Sequence, residues 1–282
     1  TAVNGTDYAH LDGTAGNRPH IHLAGTLYYD CSAYDRTYVQ TFDSLTLGSG
    51  ASRITAICAS PGIAELHFSS LASERGATID FGSSSALGSG GVPDTRIYFD
   101  TPPLLVGGNG APGTTTMSIV PKARDGTDLV CYDVYGIRNL SPSEYLTRTG
   151  VNDINGVDPY ENIKLAGTTT PFASLVANQT INALLISAKG NGSWPLSNKL
   201  TLSSGQLLAG LENYSLLIGP GTLTAGAGSD TDLDIYVGYN TTTISATLAD
   251  NGAGQVALVK HGGGTLVLDG GTGNTYSGGS FV

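Results

Sequence analysis

Asp230, Asp232 and Asp234, in the run SDTDLDIYVG, are the densest group of chemistry-bearing side chains in the sequence. Side chains on an extended strand alternate in direction, so the three carboxylates would share one face. Like charges held side by side repel, and calcium is the cation whose oxygen chemistry suits such a row. The EF-hand pattern is missing, because no Gly follows and no Glu closes the loop. The competing reading is a solvated strand edge whose charge discourages sticking. His20 and His22 alternate in the same way. A metal there would need further ligands, with His10, Asp12 and Asp30 the candidates. As exposed polar strand positions, the two histidines need no ligand. A glycoside hydrolase needs two carboxylates roughly 5–10 Å apart in a cleft. Asp230/Asp232 and Asp94/Asp100 are the available pairs, but any acidic strand face produces such pairs. No G-x-S-x-G, H-E-x-x-H or P-loop pattern occurs. The Gly-rich runs GNGAPG and GPGTLTAGAG read better as turns than as phosphate cradles. No catalytic residue is assigned, and calcium is the one cofactor with a candidate site.

The elements that would carry these residues are short strands. Helix-forming Ala/Leu/Glu/Lys runs are scarce, while Thr, Ser, Val, Ile and Gly-Asn turns dominate. The 40 glycines are roughly twice ordinary usage, without a collagen period. Period-2 alternation is clear in Ser44–Leu47 and in Thr78–Phe81. With 13 basic against 23 acidic residues, the net charge of −10 argues against nucleic acid. It also disfavours an anionic membrane surface. No stretch approaches the ~20 apolar residues of a membrane-spanning helix, so no membrane insertion by this segment is expected. Cys31, Cys58 and Cys131 form no C-x-x-C pair. In a secreted chain Cys31 and Cys58 could bridge; otherwise all three read as small buried hydrophobes. Sequons at Asn4, Asn139, Asn178, Asn191, Asn213 and Asn240 matter only if the host glycosylates surface proteins.

Four stretches differ in texture. Residues 1–40 are rich in Tyr and His and read as an N-terminal cap or a subunit-docking segment. Residues 41–89 alternate short β runs with Gly/Ser/Pro turns. Residues 90–170 hold many prolines and most of the remaining aromatic and charged residues. They read as a loop-rich excursion, with a short helical turn near Pro142–Leu146; such excursions often carry binding. Residues 171–282 repeat a strand of four to six residues followed by Gly or Asn-Gly, with GTLTAG and GTLVLDG as near copies.

Short strands also build sandwiches, but a sandwich core is bulky and aromatics here are only 7%. Gly after nearly every strand fits corners repeated along a coil, where positive φ is required. Stacked strands about 4.8 Å apart and coils of roughly 20–25 residues would give about a dozen laps. The architecture expected is all-β, a right-handed parallel β-helix (β-solenoid) with a loop-rich excursion and an N-terminal cap.

Leu258 to Val282, LVKHGGGTLVLDGGTGNTYSGGSFV, resembles the autotransporter-associated β-strand repeat, L-x-K-x-G-x-GTL-x-L-x-G-x-NTY-(S/T)-GGT-x-V. Leu258, Lys260, Gly262, Gly264, Thr265, Leu266, Leu268, Gly270, Asn274, Thr275, Tyr276, Gly278, Gly279 and Val282 match. Ser280 stands where Thr is usual, and Gly271–Gly273 lengthens a turn. The resemblance implies a parallel β-helix passenger displayed on, or released from, a Gram-negative-type cell. It does not imply a ligand. The family repeat runs on into another strand, so 1–282 reads as a segment of a longer polypeptide or as a subunit completed by another molecule.

The function expected is an extracellular structural or adhesive protein at the bacterial cell surface, a stalk or filament subunit and not an enzyme. Its expected partners are other copies end to end, surface polysaccharide, or a host or neighbouring cell. The alternative is a polysaccharide-degrading or polysaccharide-binding β-helix protein.

Overall fold

The computed structural model describes residues 2–3, 18–32, 36–83, 86–149, 153–167, 172–187, 191–209, 215–270 and 273–282. The chain divides into two compact units: residues 1–105 with 123–139, and residues 106–122 with 140–282. Each is a parallel β-solenoid, and the only helical element among the described residues is a 3-10 turn at Pro142–Glu144.

Three sheets wall the first unit. A seven-stranded sheet runs Ala2–Val3, Thr26–Cys31, Gly50–Cys58, Ala77–Ser83, Ala123–Asp125, Asp128–Asp133 and Gly136–Asn139 in spatial order. A four-stranded sheet holds Thr37–Thr41, Ile63–Phe68, Asp94–Phe99 and Ala86–Leu87. A three-stranded sheet holds Ile21–Leu23, Ser44–Leu47 and Ser70–Ser73. Strands succeed one another around the coil, so pairing partners come from successive laps and run parallel. The seven-stranded sheet closes on an antiparallel hairpin, Asp128–Asp133 with Gly136–Asn139. Gly136 (φ +85°) makes that turn possible: a Cβ there would lie 2.2 Å from the Ile97 carbonyl oxygen.

The second unit repeats the plan more regularly. Its seven-stranded sheet runs Leu146–Arg148, Asn162–Leu165, Ala183–Ile186, Gln206–Ala209, Thr231–Val237, Val256–His261 and Ser280–Phe281. Two four-stranded sheets complete the coil. One holds Gln179–Ile181, Lys199–Leu202, Thr222–Ala225 and Thr247–Leu248; the other holds Gly192–Trp194, Leu216–Ile218, Thr241–Ile244 and Thr265–Leu268. Side-chain bonds step from lap to lap: Asn182 to Asn162 spans 20 residues, Asn198 to Leu175 23, and Ser277 to Asp250 27.

Register stacks like on like. Leu200, Leu223 and Leu248 form one fully buried column, and Trp194, Ile218 and Ile244 another. Below Ile244 in that second column stands Leu268, 38% exposed, on the sheet's terminal strand. A strand of four residues buries too little to hold itself, so each lap depends on its neighbours. The interior is mainly aliphatic, but the first unit also carries an aromatic stack that the low aromatic content did not foretell. Phe42, Phe68 and Phe99 lie in successive laps with ring centroids 5.0 and 5.6 Å apart. Offset stacking of rings adds to the burial of their area.

The coil takes up more of the chain than the sequence textures mark off. Ile21–Leu23 and Thr26–Cys31 are coil strands within the stretch read as a cap, and Asp94–Phe99 is a coil strand within the stretch read as an excursion. Isolated in sequence, these runs show only local alternation; their place is set by pairing with strands a lap away. The 3-10 turn at Pro142–Glu144 lies where a helical turn was expected. Buried Glu144 accepts from the amides of Ser141 (2.7 Å) and Gly113 (2.8 Å). The segment 106–122 is tied into the second unit by a buried asparagine ladder. Asn162 Nδ2 donates to the Met117 carbonyl (2.7 Å), and Asn182 Nδ2 donates to the Val106 carbonyl (3.0 Å) and to Asn162 Oδ1 (2.8 Å).

Candidate functional site

The aspartate row does not converge. Asp230 lies outside the strand, exposed, and Oδ1 accepts from the Gln255 amide at 2.9 Å. Asp232 and Asp234 do share the outward side of Thr231–Val237, yet both are buried. Asp232 Oδ2 is 2.8 Å from Lys122 Nζ, and Asp234 Oδ1 is 2.6 Å from His261 Nε2. The outward side of this sheet is itself buried at Leu185, Leu208, Ala257 and Val259. A carboxylate in such a place needs a partner of its own, and the chain supplies one cation to Asp232 and an imidazole to Asp234. Among the described residues no three His, Cys, Asp or Glu side chains gather as they would around a metal ion.

The other candidates are likewise dispersed. His20 Nδ1 bonds the Ser44 hydroxyl at 2.5 Å, and His22 Nε2 faces Glu74 at 3.3 Å. Asp30 accepts from the Ser32 amide at 2.8 Å, while His10 and Asp12 lie outside the described residues, as do Tyr8 and Tyr34 of the Tyr/His-rich stretch. Asp100 is exposed, whereas Asp94 is fully buried. Asp94 accepts from the Ser89 amide (3.0 Å) and hydroxyl (3.1 Å) through Oδ1, and from the Gly90 amide (2.9 Å) and Arg96 Nε (2.9 Å) through Oδ2. All its lone pairs are committed, which makes it an organiser of the 89–96 turn. Among the sequons, Asn4 and Asn213 lie outside the described residues. Asn139 is turned onto Asp125 (3.1 Å), and Asn178 and Asn191 accept backbone amides from the next lap at 3.1 and 2.9 Å.

A surface that sequence spacing could not assemble lies on the outward side of the first unit's four-stranded sheet. Register places Val39, Glu65 and Arg96 in one row across three laps, and Thr41, His67 and Tyr98 in the next. Glu65 joins the rows: Oε1 is 3.2 Å from Arg96 Nη1, and Oε2 is 3.3 Å from His67 Nε2. The His67 and Tyr98 rings lie 4.8 Å apart, and the Tyr135 ring stands 5.4 Å from the Arg96 guanidinium carbon. Tyr135 comes from the tip of the antiparallel hairpin, where it is 41% and Val134 81% exposed. Burial pushes the Tyr98 phenol above its ordinary value, so at neutral pH it remains a neutral hydrogen-bond donor. Ring faces fixed by charged neighbours bind partners by contact and hydrogen bonding.

The described residues define a class: an all-β parallel solenoid with an aromatic and polar patch on one outer sheet face, an architecture like that of an autotransporter passenger. There is similarity in sequence as well. The chain is 26% identical over 261 residues to the Adhesin BmaC autotransporter of Brucella suis biovar 1 (strain 1330). The match takes in 92% of this chain and spans 7% of that protein. No protein-family model and no solved structure matches the chain.

Proposed function

We propose that this chain forms part of a bacterial surface adhesin, serving as a stiff β-solenoid that holds contact surfaces away from the cell. The observation that carries this reading is the pairing of an in-register parallel coil with similarity, along 92% of the chain, to an adhesin autotransporter. Stacked backbone bonds and side-chain columns give mechanical stiffness, and the Glu65/Arg96/His67/Tyr98/Tyr135 surface gives a place for contact. Recognition by such a patch involves no bond breaking, which agrees with a non-enzymatic role. We further infer that copies of the chain associate end to end, because a heterologous contact between coils can repeat from one molecule to the next. An open strand edge favours further pairing.

Adherence of bacteria displaying the chain tests the reading. Cells carrying it should adhere to host-cell monolayers more than cells carrying the anchor alone. Tyr98→Ala with Tyr135→Ala should remove most of the gain while surface staining stays constant. Equal adherence with and without the chain, at verified display, would overturn the adhesive role. Sedimentation of the purified chain across a concentration series checks association: a sedimentation coefficient that rises with concentration is expected, and one that stays at the monomer value would overturn it.

A further inference from the structure

Cys31 and Cys58 face each other across the first unit's seven-stranded sheet. They are register partners, each the last residue of its strand, on the parallel pair Thr26–Cys31 and Gly50–Cys58. Both point inward, following Leu27 and Tyr29 on one strand and Ile54 and Ala56 on the other; both are buried and not bridged here, and Cys58 Sγ donates to the Asp94 carbonyl at 3.2 Å. Neighbouring parallel strands lie about 4.8 Å apart, within the roughly 4.4–6.8 Å window of Cα separations that a disulfide spans. A bridge asks the Cβ atoms to close to about 3.8 Å. A strand end, where the ladder stops, yields that approach more easily than a strand centre.

Cys131 is no rival partner. Its strand, Asp128–Asp133, is separated from Gly50–Cys58 by Ala77–Ser83 and Ala123–Asp125 in the sheet order. Three strand spacings amount to about 14 Å, twice the reach of a disulfide.

We propose that Cys31 and Cys58 form a disulfide that staples two successive laps when the chain folds in an oxidising compartment. The two thiols lose two protons and two electrons as the S–S bond forms; a disulfide oxidant, protein or small molecule, accepts them and becomes two thiols. Timing follows from the surroundings. Burial pushes the Cys31 thiol up to about 11, so little thiolate exists once the coil has packed. The bond closes as the strands pair, before the coil interior shuts. The inference stands on register and burial alone and does not rest on the adhesive reading.

The test refolds the full chain from its reduced, denatured state in a glutathione redox buffer. Free thiols are then blocked with N-ethylmaleimide under denaturing conditions, and the digest is mapped by mass spectrometry without reduction. The expected result is one labelled thiol, Cys131, and a linked peptide joining Cys31 to Cys58. Cys131→Ser should keep the linked peptide and label no thiol. Three labelled thiols in the refolded, soluble chain would overturn the proposal, and so would any bridge that includes Cys131. The same mapping on chain exported to a bacterial periplasm gives a second readout if refolding is poor: an unlinked Cys31 there is equally fatal.

Discussion

Asp94→Asn separates an organising carboxylate from a catalytic one. In the native turn, two donors meet each carboxylate oxygen: the Ser89 amide and hydroxyl on one side, the Gly90 amide and Arg96 Nε on the other. Asparagine keeps the shape but supplies one acceptor oxygen, so its amide nitrogen must face two donors whichever way it turns. Asp94 is fully buried and Arg96 is 16% exposed at its side chain, so water cannot replace the lost partner. Breaking a buried ion pair from one side costs about 3–5 kcal/mol. Arg96 keeps Glu65 at 3.2 Å, which places the expectation near the lower end of that range. Such a loss lowers a melting temperature by roughly 10 °C in a domain of this size. Differential scanning calorimetry measures it, with Asp100→Asn as the control, since Asp100 is exposed. Hydrogen exchange should localise the loosening to residues 86–99. A melting temperature for Asp94→Asn equal to that of Asp100→Asn would refute the argument.

Three further outcomes are expected. Trp194→Ala should cost about 3–5 kcal/mol in chemical denaturation, because it empties a fully buried site, removes the 5.7 Å stack on Phe172 and frees the Ala173 carbonyl. Asn182→Ala should cost about 1–3 kcal/mol and expose 106–122 to limited proteolysis, since both Nδ2 bonds are lost; its own Oδ1 has no partner, which tempers the loss. Asp125→Asn should stabilise the chain more at pH 7.5 than at pH 4.5 in thermal melts. Burial raises the Asp125 pKa to about 6, with nearby Asp80 and Asp128 adding to the rise against the opposing effects of Asn139 and Arg53. The folded state therefore holds a proton that the unfolded state has released between about pH 4 and 6, so native stability falls across that window as pH rises. Asparagine keeps an acceptor for Asn139 and removes the penalty; an equal effect at both pH values would contradict this.

Composition and local pattern were enough to determine an all-β, coiled architecture for this chain. Scarce helix formers, alternation in runs such as Ser44–Leu47, and glycine after strand upon strand are one-dimensional signals. A solenoid is nearly one-dimensional too, since each lap touches only its neighbours. The tertiary structure alone decided which residues meet. Asp230, Asp232 and Asp234 alternate in sequence, yet the buried pair is answered by Lys122 and His261, from distant segments, and the third lies in a turn. The Glu65/Arg96/His67/Tyr98 patch draws its members from separate laps, and Tyr135 from a hairpin beyond them. Lap lengths vary because turns differ in size, so the register that stacks one residue on another is fixed by pairing and burial, not by spacing along the chain.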